Sequence, residues 1–379
     1  MGDEMIKVLF VIPNLGHGGA EKVLVNLLKH IDRKKFSASI FCIYDEGVNK
    51  TELPNDISYS SFFKRSFKGS GYLLKLFSPE FLYRHMIKQQ YDMVVSYLEG
   101  QTARIVSGCK DPNCKLVSWI HVEQHSAKNA ARMFRSVKEM HKCYSSFDHI
   151  ACVSKFVKHD FMTICPEIDK SKIDVLYNTV ESDIILDLSK KKTDIRFDKS
   201  KINLCGIGTL KKSKGFDRLI RIHKRLKDDG YPIHTYLLGE GPEEKTIRKM
   251  INEYRLNDSI TLLGYQINPY KYIKNSDIFV CCSYAEGFST AATEALIVGT
   301  AVCTVDVSGM KEMLGENNEY GIVTDNDDEQ LYIGLKNLID DPKLLQHYKL
   351  KALERARIFE TKNTVFSVED KLTEVVRRS

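Results

Sequence analysis

Residues 277–305 read DIFVCCSYAEGFSTAATEALIVGTAVCTV. An apolar run, a short loop holding Glu286 and Gly287, an Ala- and Leu-rich helical stretch and a second apolar run form a strand–helix–strand unit. Neither run alternates with polar residues, so both strands need cover on both faces, as parallel strands between helices have. Units of this kind build doubly wound α/β sheets.

The same alternation extends outward. INLCGIG (202–208), HTYLLG (234–239) and ITLLG (260–264) read as further strands, each followed by a turn and a helical stretch. Towards the amino terminus the strand candidates are IKVLFVI, SASIFCIY, DMVVSYL, KLVSWI, HIACVS and IDVLYN. The first helix, from about Gly18, places Ala20, Leu24, Leu27, Leu28 and Ile31 on one face, with Lys22 and Lys29 outside. Between the two sets, SDIILDLSKKKTDIRFDKSK is charged and lacks a clear period, which reads as a connection. A chain of 379 residues also exceeds what one core usually supports. The expected division is a first domain over 1–180, a linker over 181–200, a second domain over 201–360, and a terminal helix over 361–379 packing back on the first. Open parallel sheets bind ligands at the carboxyl ends of their strands, so chemistry is expected in the strand-to-helix loops, across a cleft between the domains.

Composition narrows the function. Hydrophobic residues make up 43% and charged residues 28%, which excludes disorder, and no apolar run approaches the ~20 residues that span a bilayer. The amino terminus reads as a first strand rather than a signal peptide, and Ile6 occupies the Ser/Thr position of a myristoylation signal. Ten cysteines occur without a CxxC pair, and Cys42, Cys205, Cys281 and Cys303 fall inside strands as small core residues, which fits a reducing cytoplasm. Residues 57–91 are basic and aromatic together, with Lys64, Arg65, Lys68, Lys75, Arg84 and Lys88 against Glu80 alone. That mixture suits either an anionic membrane surface or a solvated helical face over a few core aromatics. The second domain is neutral and no recognition motif is present, so nucleic acid is not an expected partner.

Three loops carry candidate chemistry. PNLGHGGAEK (13–22) sets Gly16, Gly18 and Gly19 between strand and helix, where glycine lets backbone N–H groups approach an anion, although Glu21 breaks the dinucleotide fingerprint. GIGTLKKSKGFDRLI (206–220) brings Lys211, Lys212 and Lys214 ahead of a helix near Gly215, a place where cations and free N–H groups converge on phosphate. In the opening stretch, Glu286 in the loop and Glu294 on the helix reach one cleft, and paired carboxylates suit sugar and ribose hydroxyls. Simpler readings are a helix-start carboxylate for Glu286 and a solvated side chain for Glu294.

Glu286-GFSTAAT-Glu294 resembles the signature of the retaining family 4 glycosyltransferases. The resemblance extends to GGAEK, SYLEG, WIH, VLYNTVE, GTLKKSKGFDRLI, GEGPE and LLGYQ. It implies an α/β, GT-B fold of two facing Rossmann-like domains, and the general look is similar to bacterial capsule, exopolysaccharide and lipopolysaccharide enzymes. By position, it implies that Glu286 binds the donor sugar and Glu294 the ribose, and that Lys214 neutralises the diphosphate. The backbone of Gly287, Phe288, Ser289 and Thr290 would cradle the distal phosphate, and Gly18 and Gly19 would close on the donor. His121, after KLVSWI, resembles the active-centre histidine, though a lone histidine is often structural. Gly239, Gly241, Tyr265 and Gln266 would surround the nucleoside.

Thr209 stands where the family often has arginine, which leaves Lys211 or Lys212 as substitutes. The implied reaction is metal-independent transfer of a hexose or N-acetylhexosamine, with retention, from a nucleotide sugar, UDP ahead of GDP, without a further cofactor. The acceptor would be a glycan, with a lipid-linked polysaccharide precursor at the inner face of the cell membrane as the leading candidate. The alternatives are a GT-B nucleotide-sugar epimerase or synthase, or a silent sugar-nucleotide-binding subunit of a partner transferase.

Overall fold

The computed structural model describes residues 5–16, 18–286, 288–307 and 309–378. The chain forms two compact units, Met1–Val180 with Thr361–Ser379, and Glu181–Glu360. In the first, β1 (Ile6–Ile12), β2 (Phe36–Tyr44), β3 (Ser58–Phe63), β4 (Met93–Ser96), β5 (Lys115–Ile120), β6 (His149–Cys152) and β7 (Ile173–Val175) form one sheet of order β3-β2-β1-β4-β5-β6-β7. Every pairing is parallel. Residues Val8 to Ile12 are all buried, as expected for a central strand covered on both faces.

The second unit holds β8 (Ile202–Ile207), β9 (Ile233–Leu238), β10 (Ile260–Gly264), β11 (Ile278–Cys281), β12 (Ala301–Val305) and β13 (Ile322–Thr324), in the order β10-β9-β8-β11-β12-β13. Both sheets therefore run outward from a first strand and reverse once, the doubly wound pattern. Cys42, Cys205, Cys281 and Cys303 are buried in strands and unpaired.

Three features depart from the periodicity. Strand β3, SYSSFF, is an edge strand paired only with β2 and mostly exposed, so it carries no inward apolar signal. Strand β13 is only three residues long. Residues 181–200, expected as a linker, start with the helix Ser182–Ser189, which buries Ile185 and belongs to the second unit. Asn268 Nδ2 donates to Leu188 O at 2.9 Å and holds that helix in place. Its exposed Ile184 and Leu186 blur the amphipathic pattern.

The chain returns to the first unit at Thr361, whose Oγ1 donates to Val180 O at 2.8 Å. Helix Thr361–Arg377 buries Val368, Leu372 and Val375, each contributing about 1.5–3 kcal/mol by removal from water. Its Glu369 accepts the Asp32 N–H at 2.7 Å, and Lys371 pairs with Asp174 at 2.8 Å.

Candidate active site

Strand order in the second sheet reverses between β8 and β11, so the loops leaving these two strands meet at the switch point. The strands pair only through Leu204 with Ile278 and Cys205 with Phe279. Beyond that the loops take over. Gly215 has φ +67°, and a Cβ there would lie 2.0 Å from the Cys282 carbonyl oxygen, so no other residue lets the two loops approach as they do. The Tyr284 N–H donates to Ser213 O at 2.8 Å, and the Cys282 thiol donates to Lys214 O at 3.3 Å.

On this frame Lys214 Nζ lies 2.5 Å from Glu286 Oε1, and Ser283 Oγ donates to the same oxygen at 2.7 Å. Both charged groups are largely buried. Burial alone would depress the Lys214 ammonium, but the charge and hydrogen bond of Glu286 outweigh it and raise its pKa, so the lysine stays charged.

Next to the pair, helix Thr290–Ile297 starts at Ser289, whose hydroxyl caps the Ala292 N–H at 3.3 Å. The N–H groups of Thr290 and Ala291 lie ahead of Thr293, whose N–H makes the first intrahelical bond, to Ser289 O at 3.1 Å, so they have no intrahelical acceptor and can serve an anion. Gly287 lies outside the described residues. Phe288 is buried with its ring 5.7 Å from that of Phe359, so its side chain anchors the loop. Glu294 is 7% exposed, with Tyr270 Oη 3.5 Å from Oε1, so the solvated reading of this residue is wrong.

The turn at 239–241 has a structural explanation of its own. A Cβ on Gly239 would lie 2.0 Å from Gly208 O, and one on Gly241 2.5 Å from Leu210 O, so both glycines let this turn lie against the β8 loop. Leu210 N–H donates to Glu240 O at 2.9 Å, and Glu243 N–H to Leu210 O at 2.8 Å. Tyr265 is exposed, whereas the Gln266 amide turns inward, donating to Leu263 O at 2.7 Å and accepting from Tyr272 Oη at 3.0 Å.

Thr209 is exposed. Of its two suggested cationic substitutes, Lys212 is already committed to Asp217 at 2.7 Å, while Lys211 has no ion-pair partner among the described residues. Asp217 also accepts from Arg221 at 3.0 Å and from Tyr284 Oη at 3.1 Å, which ties the helix Phe216–Asp228 to the β11 loop. Sequence reading missed this network and the Ser283 hydroxyl. The only local trace is the four-residue spacing of Asp217 and Arg221.

In the first unit the loops after β1, β4 and β5 share the carboxyl edge of the sheet. His121 is 6% exposed, and burial pushes its imidazole down to about 3, so it is neutral. Its ring centroid lies 4.9 Å from that of Tyr97, and Nε2 has no partner among the described residues. The His121 N–H donates to Glu99 Oε2 at 3.0 Å. Burial raises the Glu99 carboxyl, opposed by that hydrogen bond and one from its own backbone. Glu99 lay within SYLEG, yet nothing in its spacing marked it. Gly18 and Gly19 begin the helix Gly19–His30, and the Glu21 carboxylate folds back so that a Cβ on Gly18 would lie 2.0 Å from Oε2. That helix start is thus met by the chain's own carboxylate, whose pKa burial raises.

Two parallel Rossmann-like sheets with this loop pairing are the architecture of GT-B glycosyltransferases. Sequence comparison agrees: residues 17–184 match the family model "Glycosyltransferase Family 4", and residues 188–355 match "Glycosyl transferases group 1". Together the two matches span both units, and the chain is a family 4-like glycosyltransferase of GT-B fold. Among its relatives is the N-acetylgalactosamine-N,N'-diacetylbacillosaminyl-diphospho-undecaprenol 4-alpha-N-acetylgalactosaminyltransferase of Campylobacter jejuni, 28% identical over 94% of this chain and 96% of the relative. Among solved structures, Anabaena HepE in complex with UDP superposes with TM-score 0.76 at 16% identity, over 97% of this chain and all of HepE. A glycosyltransferase from Rickettsia africae superposes with TM-score 0.78 at 17% identity, over 99% of this chain and all of the other. At these identities the structural matches speak for the fold alone.

Proposed function

We propose that this glycosyltransferase moves a hexose or N-acetylhexosamine, with retention of anomeric configuration, from a UDP-sugar to a lipid-linked glycan precursor. The observation that carries the reading is the Lys214–Glu286 pair at the switch point, beside a helix start and the buried Glu294. In this reading the diphosphate lies at the start of helix Thr290–Ile297, with Lys214 as its counter-charge, so that positive charge stands where the leaving group becomes more negative. These groups supply the neutralisation that a metal would otherwise give, and no metal is assigned. Glu286 takes the sugar hydroxyls, Glu294 the ribose, and the backbone of Gly239, Gly241, Tyr265 and Gln266 the base. No protein nucleophile is invoked: the departing phosphate oxygen accepts the acceptor hydroxyl's proton on the face it leaves. Neutral His121 is assigned to the sugar as a hydrogen-bonding group, not as a base, because a buried imidazole of low pKa holds a proton poorly. UDP is favoured because HepE, of the same fold, holds it, and a lipid-linked acceptor is favoured by the undecaprenol-linked substrate in the Campylobacter enzyme's name.

The test is to incubate the protein with UDP- and GDP-sugars and an undecaprenyl-diphosphate-linked saccharide, and to determine the anomeric configuration of the product by NMR. An α-linked product from an α-linked UDP-sugar supports the reading. An inverted product, or transfer from GDP-sugars alone, refutes it, and binding of UDP-sugar without any transfer marks a silent subunit instead.

A further inference from the structure

Two helices of the first unit bring three unlike donor atoms to one point. His141 sits on helix Val137–Ser145, Cys165 is the residue after helix Lys155–Ile164, and Glu167 follows two positions on. A ring nitrogen of His141, the Cys165 sulfur and a Glu167 carboxylate oxygen all lie within 4.8 Å of one another. Glu167 holds the His141 imidazole, with Oε1 2.6 Å from Nδ1. Cys165 is fully buried, whereas His141 and Glu167 keep 28% and 38% of their side chains exposed, so the sulfur lies at the base of the group and the other two donors face solvent.

A hydrogen bond accounts for the histidine and the carboxylate but gives the sulfur no part. Burial, and after it the charge of Glu167, push the Cys165 thiol up to about 12, so the thiol keeps its proton. A divalent cation among the three would replace that proton and balance both the thiolate and the carboxylate, leaving a group of no net charge. An imidazole nitrogen, a sulfur and a carboxylate oxygen are also the donors of a borderline-soft ion such as zinc, whereas magnesium and calcium take oxygen. Tetrahedral zinc, with bonds of about 2.0–2.3 Å, sets such donors roughly 3.3–3.6 Å apart, so the His141–Glu167 contact opens by only ~1 Å on loading.

We propose that His141, Cys165 and Glu167 bind zinc, with water as the fourth ligand. On binding, the Cys165 S–H bond breaks, its electron pair forms the sulfur–zinc bond and the proton passes to solvent, so nothing is oxidised or reduced. Structural zinc sites use four protein ligands as a rule, and three leave one position to solvent, which makes the ion exchangeable. The ion cross-links the two helices. Tyr144 Oη, three residues beyond His141, accepts the Gly100 N–H at 3.3 Å, and Tyr144, Cys165 and Glu99 line one small cavity. A cross-link here braces the helix that supports the Glu99 loop. The inference stands apart from the transfer reaction, to which no metal is assigned.

The test takes the full chain, freed of metal by chelator and dialysis, and titrates it with cobalt(II) as a spectroscopic stand-in for zinc. Cobalt should bring up a thiolate-to-cobalt charge-transfer band together with the strong visible bands of a tetrahedral ion, and zinc should abolish both by displacement. Zinc should also raise the melting temperature of the wild type. Cys165→Ser should remove the charge-transfer band. His141→Gln and Glu167→Gln, at partly exposed positions, should keep the fold and weaken zinc binding at least ~10-fold, since even a supporting contact at a metal site is worth that much. If Cys165→Ser fails to fold, these two variants carry the test. A wild type that shows neither the thiolate band nor a zinc-dependent melting shift overturns the inference. So does zinc binding that is equally tight in the wild type and in the His141 and Glu167 variants, which would place the ion on other histidines or cysteines.

Discussion

Lys214 Nζ and Glu286 Oε1 lie 2.5 Å apart although 72 residues separate them in sequence, and the contact joins the two loops that meet where the strand order reverses. In the function proposed above, a diphosphate would take the lysine and the neutral sugar hydroxyls would donate to the carboxylate.

Glu286→Gln keeps the shape and removes the charge. Transfer should fall at least ~10²-fold, the scale of a lost preorganised electrostatic contact. UDP affinity should hold or rise, because Lys214 loses its competitor. Rate, melting temperature and UDP affinity measured together decide it: near-normal transfer, or a loss matched by unfolding, would falsify the assignment.

Lys214→Ala should weaken UDP binding about 10- to 100-fold, as expected for one hydrogen bond to a charged group, and leave uridine binding nearly unchanged. Calorimetric titration of both ligands is the measurement. Equal losses for UDP and uridine would show that the lysine supports the loop rather than the phosphate.

Gly215→Ala should damage both loops at once, since the new methyl meets the Cys282 carbonyl and the backbone is left-handed. We expect a loss of at least about 2 kcal/mol, with UDP affinity falling alongside. Urea unfolding of the variant with full stability retained would mean that the loop relaxes without needing glycine.

Acid should destabilise the fold through its buried histidines. His223 is fully buried between Thr235 and Ser259, and burial, helped by nearby His234 and Lys227, pushes its pKa down to about 3. Burial likewise takes His121 to about 3 and His149 to about 4. Between those values and an unfolded pKa near 6.5, the unfolded chain binds protons that the native one refuses. Stability therefore rises with pH across this window and is lost as pH falls, by about 1.4 kcal/mol per pH unit for each histidine. His223→Gln should lower the slope of urea stability between pH 4.5 and 6 by about that amount. An unchanged slope would place the titration elsewhere.

Glu294→Gln should remove the preference for UDP over its 2′,3′-dideoxy analogue, because the buried carboxylate is assigned to the ribose hydroxyls. A discrimination that survives the substitution would return Glu294 to a packing role beside Tyr270.

Much of this protein was set by local sequence. Unbroken apolar runs such as VLFVI and IFVC can only be central parallel strands, because both of their faces need cover, and glycine-led loops before helices follow from backbone sterics. Glu286, Glu294 and Lys214 stood out as candidates because each falls in a strand-to-helix segment that resembles the family pattern, and the structure adds that Lys214 and Glu286 meet. What tertiary structure decided depends on residues distant in sequence. That Ser283 and Lys214 share one oxygen of Glu286, that Tyr284 reaches Asp217, and that Gly239 lies against Gly208 rather than facing open space all depend on which loops the strand order brings together. The helix Ser182–Ser189 was hidden because its stability comes from packing across the second unit, and β3 because an exposed edge strand has no inward face to pattern. Periodicity reports burial along one element, whereas a site is made of contacts between elements, and those exist only once the sheet order is fixed.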